Sequence, residues 1–152
     1  MPSIGQFLGD DHRRCDDCFI AAERAVAAHD WGVAQQSFHA FQRAIDRHLA
    51  MEERVLFVAF EALAGAAGPS QVMRREHLQM RELFAELAGA LARHADSEFL
   101  GLSETLLVLM QQHNMKEEQM LYPMCDRLLA AERDNLLERM RLVQAESAAD
   151  AV

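Results

Sequence analysis

The stretches "DRHLAMEERVLFV" at residues 46–58 and "QQHNMKEEQMLYP" at residues 111–123 carry the same frame, H-x-x-x-E-E-x-x-L-[FY]. The second copy follows the first by 65 positions, and the same offset separates His12 from His77. Ligand-type and apolar residues that share one offset indicate a duplicated helical hairpin. On an α-helix, positions i and i+4 lie within roughly 40° of each other, so each frame places its histidine beside its first glutamate.

The whole sequence predicts an all-α fold, an up-down-up-down four-helix bundle with an additional short C-terminal helix. The 152 residues are 51% hydrophobic and include only seven Gly and three Pro, a composition that favours helices. Apolar periodicity predicts helices over about 10–28, 32–64, 70–93 and 97–122, with Asp96 or Ser97 capping the fourth helix and Pro123 kinking or restarting it. We expect one domain over residues 1–145 and a polar tail over 146–152.

Charge and hydropathy exclude several classes of partner. The formal net charge of −9 argues against binding to nucleic acid or to an anionic membrane surface, because both need an excess of Lys and Arg. No stretch approaches the length of apolar sequence that crosses a bilayer, and the N-terminus does not resemble a signal peptide. The three cysteines do not resemble a disulfide framework. We therefore expect a cytoplasmic protein.

The repeated frame predicts a metal site in the bundle interior. Two hairpins packed about a pseudo-twofold axis would direct inward His12, His48, Glu52, His77, His113 and Glu117. A buried polar cluster is costly unless it binds something, and a mixed imidazole and carboxylate set suits iron in particular, although geometry alone would accept zinc. One H-x-x-x-E pair, such as His94 and Glu98, arises by chance on charged helices. The doubled frame is much more specific.

Four further residues are candidates for the shell around these ligands: Asp16, Arg81, Glu118 and Cys15. Arg81 lies four residues after His77, and its repeat counterpart Asp16 lies four after His12, so both should line the mouth of the site. They could pair with each other, Asp16 could serve as an extra ligand, or both could be solvated helix charges. Cys15 should pack beside the site.

Two other features favour structural roles. "CDDC" at 15–18 invites a redox interpretation, but it lies inside a helix of an all-α chain rather than after a strand. Tyr122 follows the second frame and could approach the metal pocket, but its counterpart Phe57 lacks the hydroxyl, which favours packing as the role of both. His29 and His94 should end the first and third helices.

These residues resemble the hemerythrin-like HHE cation-binding domains, whose pattern is a lone His and then H-x-x-x-E, written twice. The resemblance covers about residues 10–126 and includes "LYP" at 121–123. It implies a four-helix bundle holding two iron ions (Fe2+/Fe3+) with an oxo or hydroxo bridge, zinc being the substitute. Oxygen carriers typically have His and Asp where this chain has Arg81 and Glu118. The sequence therefore looks more like the bacterial branch with four His and two Glu.

Several functions are compatible with this resemblance. The leading one is a di-iron protein that meets O2, NO or peroxide in sensing, detoxification or iron handling, and that would signal through a partner protein or through homodimer formation. A di-iron oxidase or peroxidase, an iron–sulfur repair protein and a metal-free helical adaptor are the alternatives. No histidine has Glu three residues before it, unlike ferritin-type sites. Without a dedicated general base or nucleophile, the sequence favours a metal-binding protein over a dedicated enzyme.

Overall fold

The computed structural model describes the backbone of residues 1–150 and the side chains of residues 1–146. Its helices are α1 Ile4–Ala27, α2 Trp31–Met51, α3 Phe57–Ala64, α4 Pro69–Ala92, α5 Asp96–Lys116, α6 Tyr122–Leu128 and α7 Arg133–Asp150. A first π segment, Glu52–Leu56, joins α2 to α3, and a second π segment, Glu117–Leu121, joins α5 to α6. A 3₁₀ turn, Ala130–Glu132, precedes α7.

The bundle has the predicted all-α architecture. The two π segments run without a break into the helices on either side, so the bundle consists of α1, α2 with α3, α4, and α5 with α6. Helix α1 packs on α2 and α5, and α4 packs on α5 and α2, which is the neighbour relation of an up-down-up-down bundle. Helix α7 packs across α2 and the first π segment. No helix of the described residues is long and apolar enough to cross a membrane.

Helix α1 begins earlier than predicted because a capping box starts it. The Ser3 hydroxyl accepts a hydrogen bond from the Gln6 N–H at 3.0 Å, and the Gln6 side chain accepts one from the Ser3 N–H at 2.9 Å. The carboxylate of Asp126, at the far end of the chain, accepts from the N–H groups of Ile4 and Gly5. These bonds satisfy N–H groups that have no partner within the helix.

The two connections at one end of the bundle follow the repeat. His29 and His94 lie just past the ends of α1 and α4, as predicted, and both adopt left-handed backbone conformations, with φ of 56° and 54°. Trp31 stacks between their rings, at 5.9 and 4.4 Å between centroids. Asp96 contacts Nε2 of His29 at 2.7 Å, and Ala95 occupies the N-cap position of α5. The predicted cap by Asp96 or Ser97 is therefore wrong.

Two apolar clusters lie above and below a buried polar level. One cluster takes its residues from positions 15–26 of α1, 34–49 of α2, 80–91 of α4 and 99–110 of α5. The other includes Ile4, Leu8, Phe57 and Phe60, and α7 covers it with Leu136, Leu137 and Met140. The buried polar residues between them include the six predicted ligands. The predicted polar tail, 146–152, lies almost wholly outside the residues whose side chains are described.

Candidate metal centre

The six predicted ligands meet in the middle of the bundle. All are buried, and none is more than 4% exposed. They form two sets of four, in each of which one nitrogen or oxygen per residue lies within 4.8 Å of the others. The first His/Glu set is His12, His48, Glu52 and Glu117, and the second is His77, His113, Glu52 and Glu117. The structure thus presents two adjacent sites that share two carboxylates.

Within each set, lone-pair atoms converge without hydrogen-bond partners among the described residues. These atoms are Nε2 of His48, His77 and His113, Oε1 of Glu52 and Oε2 of Glu117. His12 directs its Nε2 towards the centre, 3.1 Å from Oε1 of Glu117. The three Nε2 atoms lie 3.2 to 3.4 Å from a carboxylate oxygen of the nearest glutamate. A buried polar atom without a partner costs about 1–3 kcal/mol, so several in one place fit a site that binds a cation. The imidazole and carboxylate donors fit a transition-metal ion.

Carboxylates outside the cluster orient three of the four imidazoles. The Nδ1 atoms of His48, His77 and His113 contact, at 2.8, 2.6 and 2.8 Å, the outer carboxylates Asp11, Glu53 and Glu76. Such bonds fix the ring and the tautomer and direct Nε2 towards the centre, as in many metal sites. Lys116 pairs with Glu76, and Arg14 pairs with Asp11. Sequence reasoning missed all three as histidine partners.

The π segments begin at the two shared glutamates. The Phe57 N–H donates to the carbonyl of Glu52, and the Tyr122 N–H donates to the carbonyl of Glu117, five residues back in each case. In an α-helix, residues five apart differ by about 140° around the axis. The wider π turn removes much of this difference, and π turns of this kind are frequent at functional sites. The fifth residue after each shared glutamate, Phe57 or Tyr122, therefore lies closer to the face of the helix that carries the glutamate.

Tyr122 belongs to the polar cluster, so the prediction that it only packs is wrong. Its buried hydroxyl donates to Oε2 of Glu52 at 2.8 Å and lies 3.1 Å from Oε1 of Glu117 and 3.2 Å from Nε2 of His12. Its counterpart Phe57 does pack, stacking on the His77 ring at 5.6 Å between centroids. The repeat is thus broken at one residue that touches the centre.

The electrostatics of the cluster favour bound cations. Burial alone would lower the pKa of His48, but the charge of Glu52 and the bond to Asp11 raise it to about 10. Burial would likewise lower the pKa of His77, but the bonds to Glu52 and Glu53 outweigh burial and raise this pKa to about 9. The pKa of Glu52 lies well below its ordinary value, since His48 and the other neighbours outweigh burial. Positive charge is therefore stabilised here, whether carried by protons or by metal.

The four residues predicted for the surrounding shell occupy different places. Both Nη atoms of Arg81 donate to Glu53, at 2.8 and 3.0 Å, so Arg81 braces the carboxylate that orients His77. The predicted pairing of Asp16 with Arg81 is not found among the described contacts. Glu118 Oε2 lies 3.5 Å from Nδ1 of His12. Glu118, His12 and Asp16 line one surface groove.

The cysteines of "CDDC" are not arranged for thiolate chemistry. Cys15 is buried in the apolar cluster that begins one turn beyond His12, and burial raises the pKa of its thiol well above its ordinary value. Cys18 is only half-buried and lies in a different groove, beside Asp17. A reactive thiol needs the opposite change in pKa, so the structure favours packing over redox chemistry at Cys15.

Comparison with known protein families fits this geometry. The model of the hemerythrin HHE cation-binding domain family matches residues 3–125, well over half of the chain. The chain belongs to this family. No curated protein and no solved structure gave a significant match. Membership of the hemerythrin HHE family gives cation binding as the shared property, and the buried His/Glu cluster is the part of the fold that fits it.

Replacing Tyr122 by phenylalanine is expected to destabilise the metal-free HHE domain by about 1–3 kcal/mol, because buried oxygens of Glu52 and Glu117 lose a hydrogen-bond partner. Chemical denaturation of chelator-treated protein measures the change. A free energy of unfolding unchanged by Tyr122→Phe would contradict the polar role of Tyr122.

Removing an outer carboxylate is expected to weaken one ion site more than the other. Asp11→Ala frees the ring of His48 and should lower metal affinity in the first His/Glu set by roughly 10–100-fold, while Glu76→Ala should do the same in the second. Competition with a chelator measures both affinities. Asp10→Ala is the matched control, since Asp10 is exposed and its partner among the described residues is Arg13, outside the cluster. Equal affinities in all three variants would refute the orienting role.

Proposed function

We propose that this HHE domain binds two iron ions, one in each His/Glu set, and interacts with a small ligand such as O2, NO or peroxide in sensing, detoxification or iron handling. The observation that carries the proposal is the pair of buried four-residue sets that share Glu52 and Glu117. Two shared carboxylates can serve two neighbouring cations and offset part of their charge. A site for one ion would need neither the second pair of histidines nor the sharing.

The residues around the centre support the proposal. His12, His48, His77 and His113 offer neutral nitrogen donors once deprotonated, and their outer partners hold three of the rings in place. The apolar clusters on either side keep bulk water away. Iron bound there would supply redox and ligand-binding chemistry, while the chain supplies geometry and a dry surrounding.

The donor set supports iron as the metal of this proposal. Structural zinc sites are usually closed tetrahedra rich in cysteine, whereas this cluster contains only imidazole and carboxylate groups. Such a set suits iron, and zinc would be the substitute. Arg81 stands where oxygen carriers have a fifth histidine, and its pairing with Glu53 supports a role outside reversible oxygen carriage.

A di-iron oxidase or peroxidase is the second candidate, and Tyr122 is the observation that favours it. Its hydroxyl touches His12, Glu52 and Glu117 and can exchange a proton with either carboxylate. Peroxide consumption by the loaded protein, compared with a Tyr122→Phe variant of equal metal content, tests this candidate. In a sensing role, the signal would instead pass to a partner protein or a second copy of this chain in the cytoplasm.

Metal content after anaerobic reconstitution with ferrous iron tests the main proposal. We expect about two irons per wild-type chain and about one in His48→Ala and in His113→Ala, because each variant loses a ligand of one set. His39→Ala is the control, since His39 is exposed on the same helix as His48. Equally little iron in the wild type and in all variants would refute the proposal.

A further inference from the structure

The pseudo-twofold arrangement of the centre is broken on one flank. On the His77 side, Nδ1 contacts Glu53 at 2.6 Å, and Arg81 covers that carboxylate with two further hydrogen bonds. On the His12 side, the counterparts of Glu53 and Arg81 are Glu118 and Asp16, 65 positions away in each case. The acid Asp16 therefore occupies the position at which the His77 side has Arg81, the cation that covers its outer carboxylate.

An open groove lies on the His12 flank, between α1 and α5 with the second π segment. It has a volume of about 530 Å³, and its lining includes His12, Asp16, Gln111, Asn114 and Glu118. Glu118 is 40% exposed and Asp16 is half-buried. Arg13 also reaches this groove, but it pairs with Asp10. Among the described residues, neither Asp16 nor Glu118 pairs with a Lys or Arg side chain, and both line the mouth of the groove.

The inner wall of the groove carries an unpartnered donor atom. His12 is 4% exposed, and its Nδ1 has no hydrogen-bond partner within the part of the chain that the structure describes; Oε2 of Glu118 is 3.5 Å away. The other nitrogen of the same ring, Nε2, lies 3.1 Å from Glu117 in the first His/Glu set. One imidazole therefore stands between the groove and the centre. Every other histidine of the centre has its Nδ1 occupied by a carboxylate.

We propose that divalent metal ions enter the centre through this groove, and that Asp16, Glu118 and Nδ1 of His12 form an outer site that attracts the ion on the way. Two carboxylates and an imidazole are suitable donors for a divalent transition-metal ion. A groove lined by charge of one sign also concentrates the opposite ion and raises its association rate. The inference rests on the proposed metal function, since an entry route requires a centre to fill.

The rate of cobalt uptake separates this outer site from the centre. Metal-free protein is mixed anaerobically with Co2+ at low ionic strength, and the visible absorption of the bound ion is followed by stopped flow. For the Asp16→Asn, Glu118→Gln double variant we expect uptake at least about tenfold slower than in the wild type, with the same final cobalt per chain. Added salt should slow the wild type more than the double variant.

Two single variants make the test specific. Asp17→Asn removes the same charge from the adjacent residue, which faces another groove, and should leave uptake within about twofold of the wild type. Asp16→Arg copies the Arg81 arrangement and should pair with Glu118, closing the groove and slowing uptake more than Asp16→Asn does. Final cobalt content and melting temperature show whether each variant keeps its centre and fold.

The outcomes distinguish the two proposals. A wild type that takes up no cobalt and no iron would refute the proposed metal function and, with it, the entry route. A wild type that loads normally, with Asp16 and Glu118 variants that load as fast as Asp17→Asn, would refute the entry route and leave the centre standing. Slower uptake at unchanged final content, confined to the groove variants, is the result expected.

Discussion

Replacing Glu117 by glutamine is expected to abolish the binding of both metal ions. Glu117 belongs to both His/Glu sets, so each ion loses an anionic ligand, and the neutral amide cannot offset the charge of either. Loss of an orienting partner alone costs roughly 10–100-fold in affinity, so loss of a ligand should cost more than about 100-fold at each site. Metal per chain and chelator competition measure the effect, and Glu52→Gln should reproduce it.

The histidine variants provide the contrast that makes this prediction sharp. His48→Ala touches only the first set and His113→Ala only the second, so each should leave one site able to bind. Glu104→Gln, on the exposed surface of α5, is the control for the change in charge. A Glu117→Gln protein that retained one tightly bound ion would show that the carboxylate serves a single site.

The placement of the six cluster residues could be anticipated from the sequence because the duplication repeats them at one offset. Helical periodicity fixes which residues share a face, and the common offset of His48 and His113 links faces on different helices. The start of α1 was missed, although Ser3 and Gln6 form a recognisable capping pair. The contribution of Asp126 to that start joins residues more than a hundred positions apart, which no local pattern reports.

The outer carboxylates could not be derived from periodicity within one helix. Asp11 orients a histidine on α2, and Glu76 orients one on α5, so each contact crosses between helices. The repeat did contain a signal, because Asp11 and Glu76 differ by the same 65 positions as the histidines that they orient. Applying the offset of 65 positions to the acidic residues, as well as to the histidines, would have identified Asp11 and Glu76.

The repeat favoured packing because the counterpart Phe57 has no hydroxyl, and an α-helical turn leads to the same prediction for Tyr122. At 100° per residue, its side chain should point about 140° away from Glu117, which favours packing. The second π segment changes the turn at that point and brings the hydroxyl to 3.1 Å from the Glu117 carboxylate. Nothing in the one-dimensional pattern separates a π turn from an α turn, since both are built from good helix formers. The correction therefore needed the backbone.

Removing the metal is expected to lower the melting temperature of the loaded protein by roughly 8–16 °C. A ligand that binds only the folded state at a thousandfold excess over its dissociation constant stabilises that state by about 4 kcal/mol. For a chain of this size, each kcal/mol corresponds to about 2–4 °C. Thermal denaturation before and after exhaustive chelation, followed by reloading with ferrous iron, measures the shift and its reversibility.

The same measurement decides between a metal centre and a helical adaptor. In an adaptor, chelation would leave the melting temperature unchanged, and His48→Leu would be neutral or stabilising, since it removes a buried polar group. In a metal centre, His48→Leu loses much of the stabilisation by metal, and Glu117→Gln becomes insensitive to the chelator. The buried atoms that converge without partners among the described residues favour the second outcome, because bound metal would offset their desolvation.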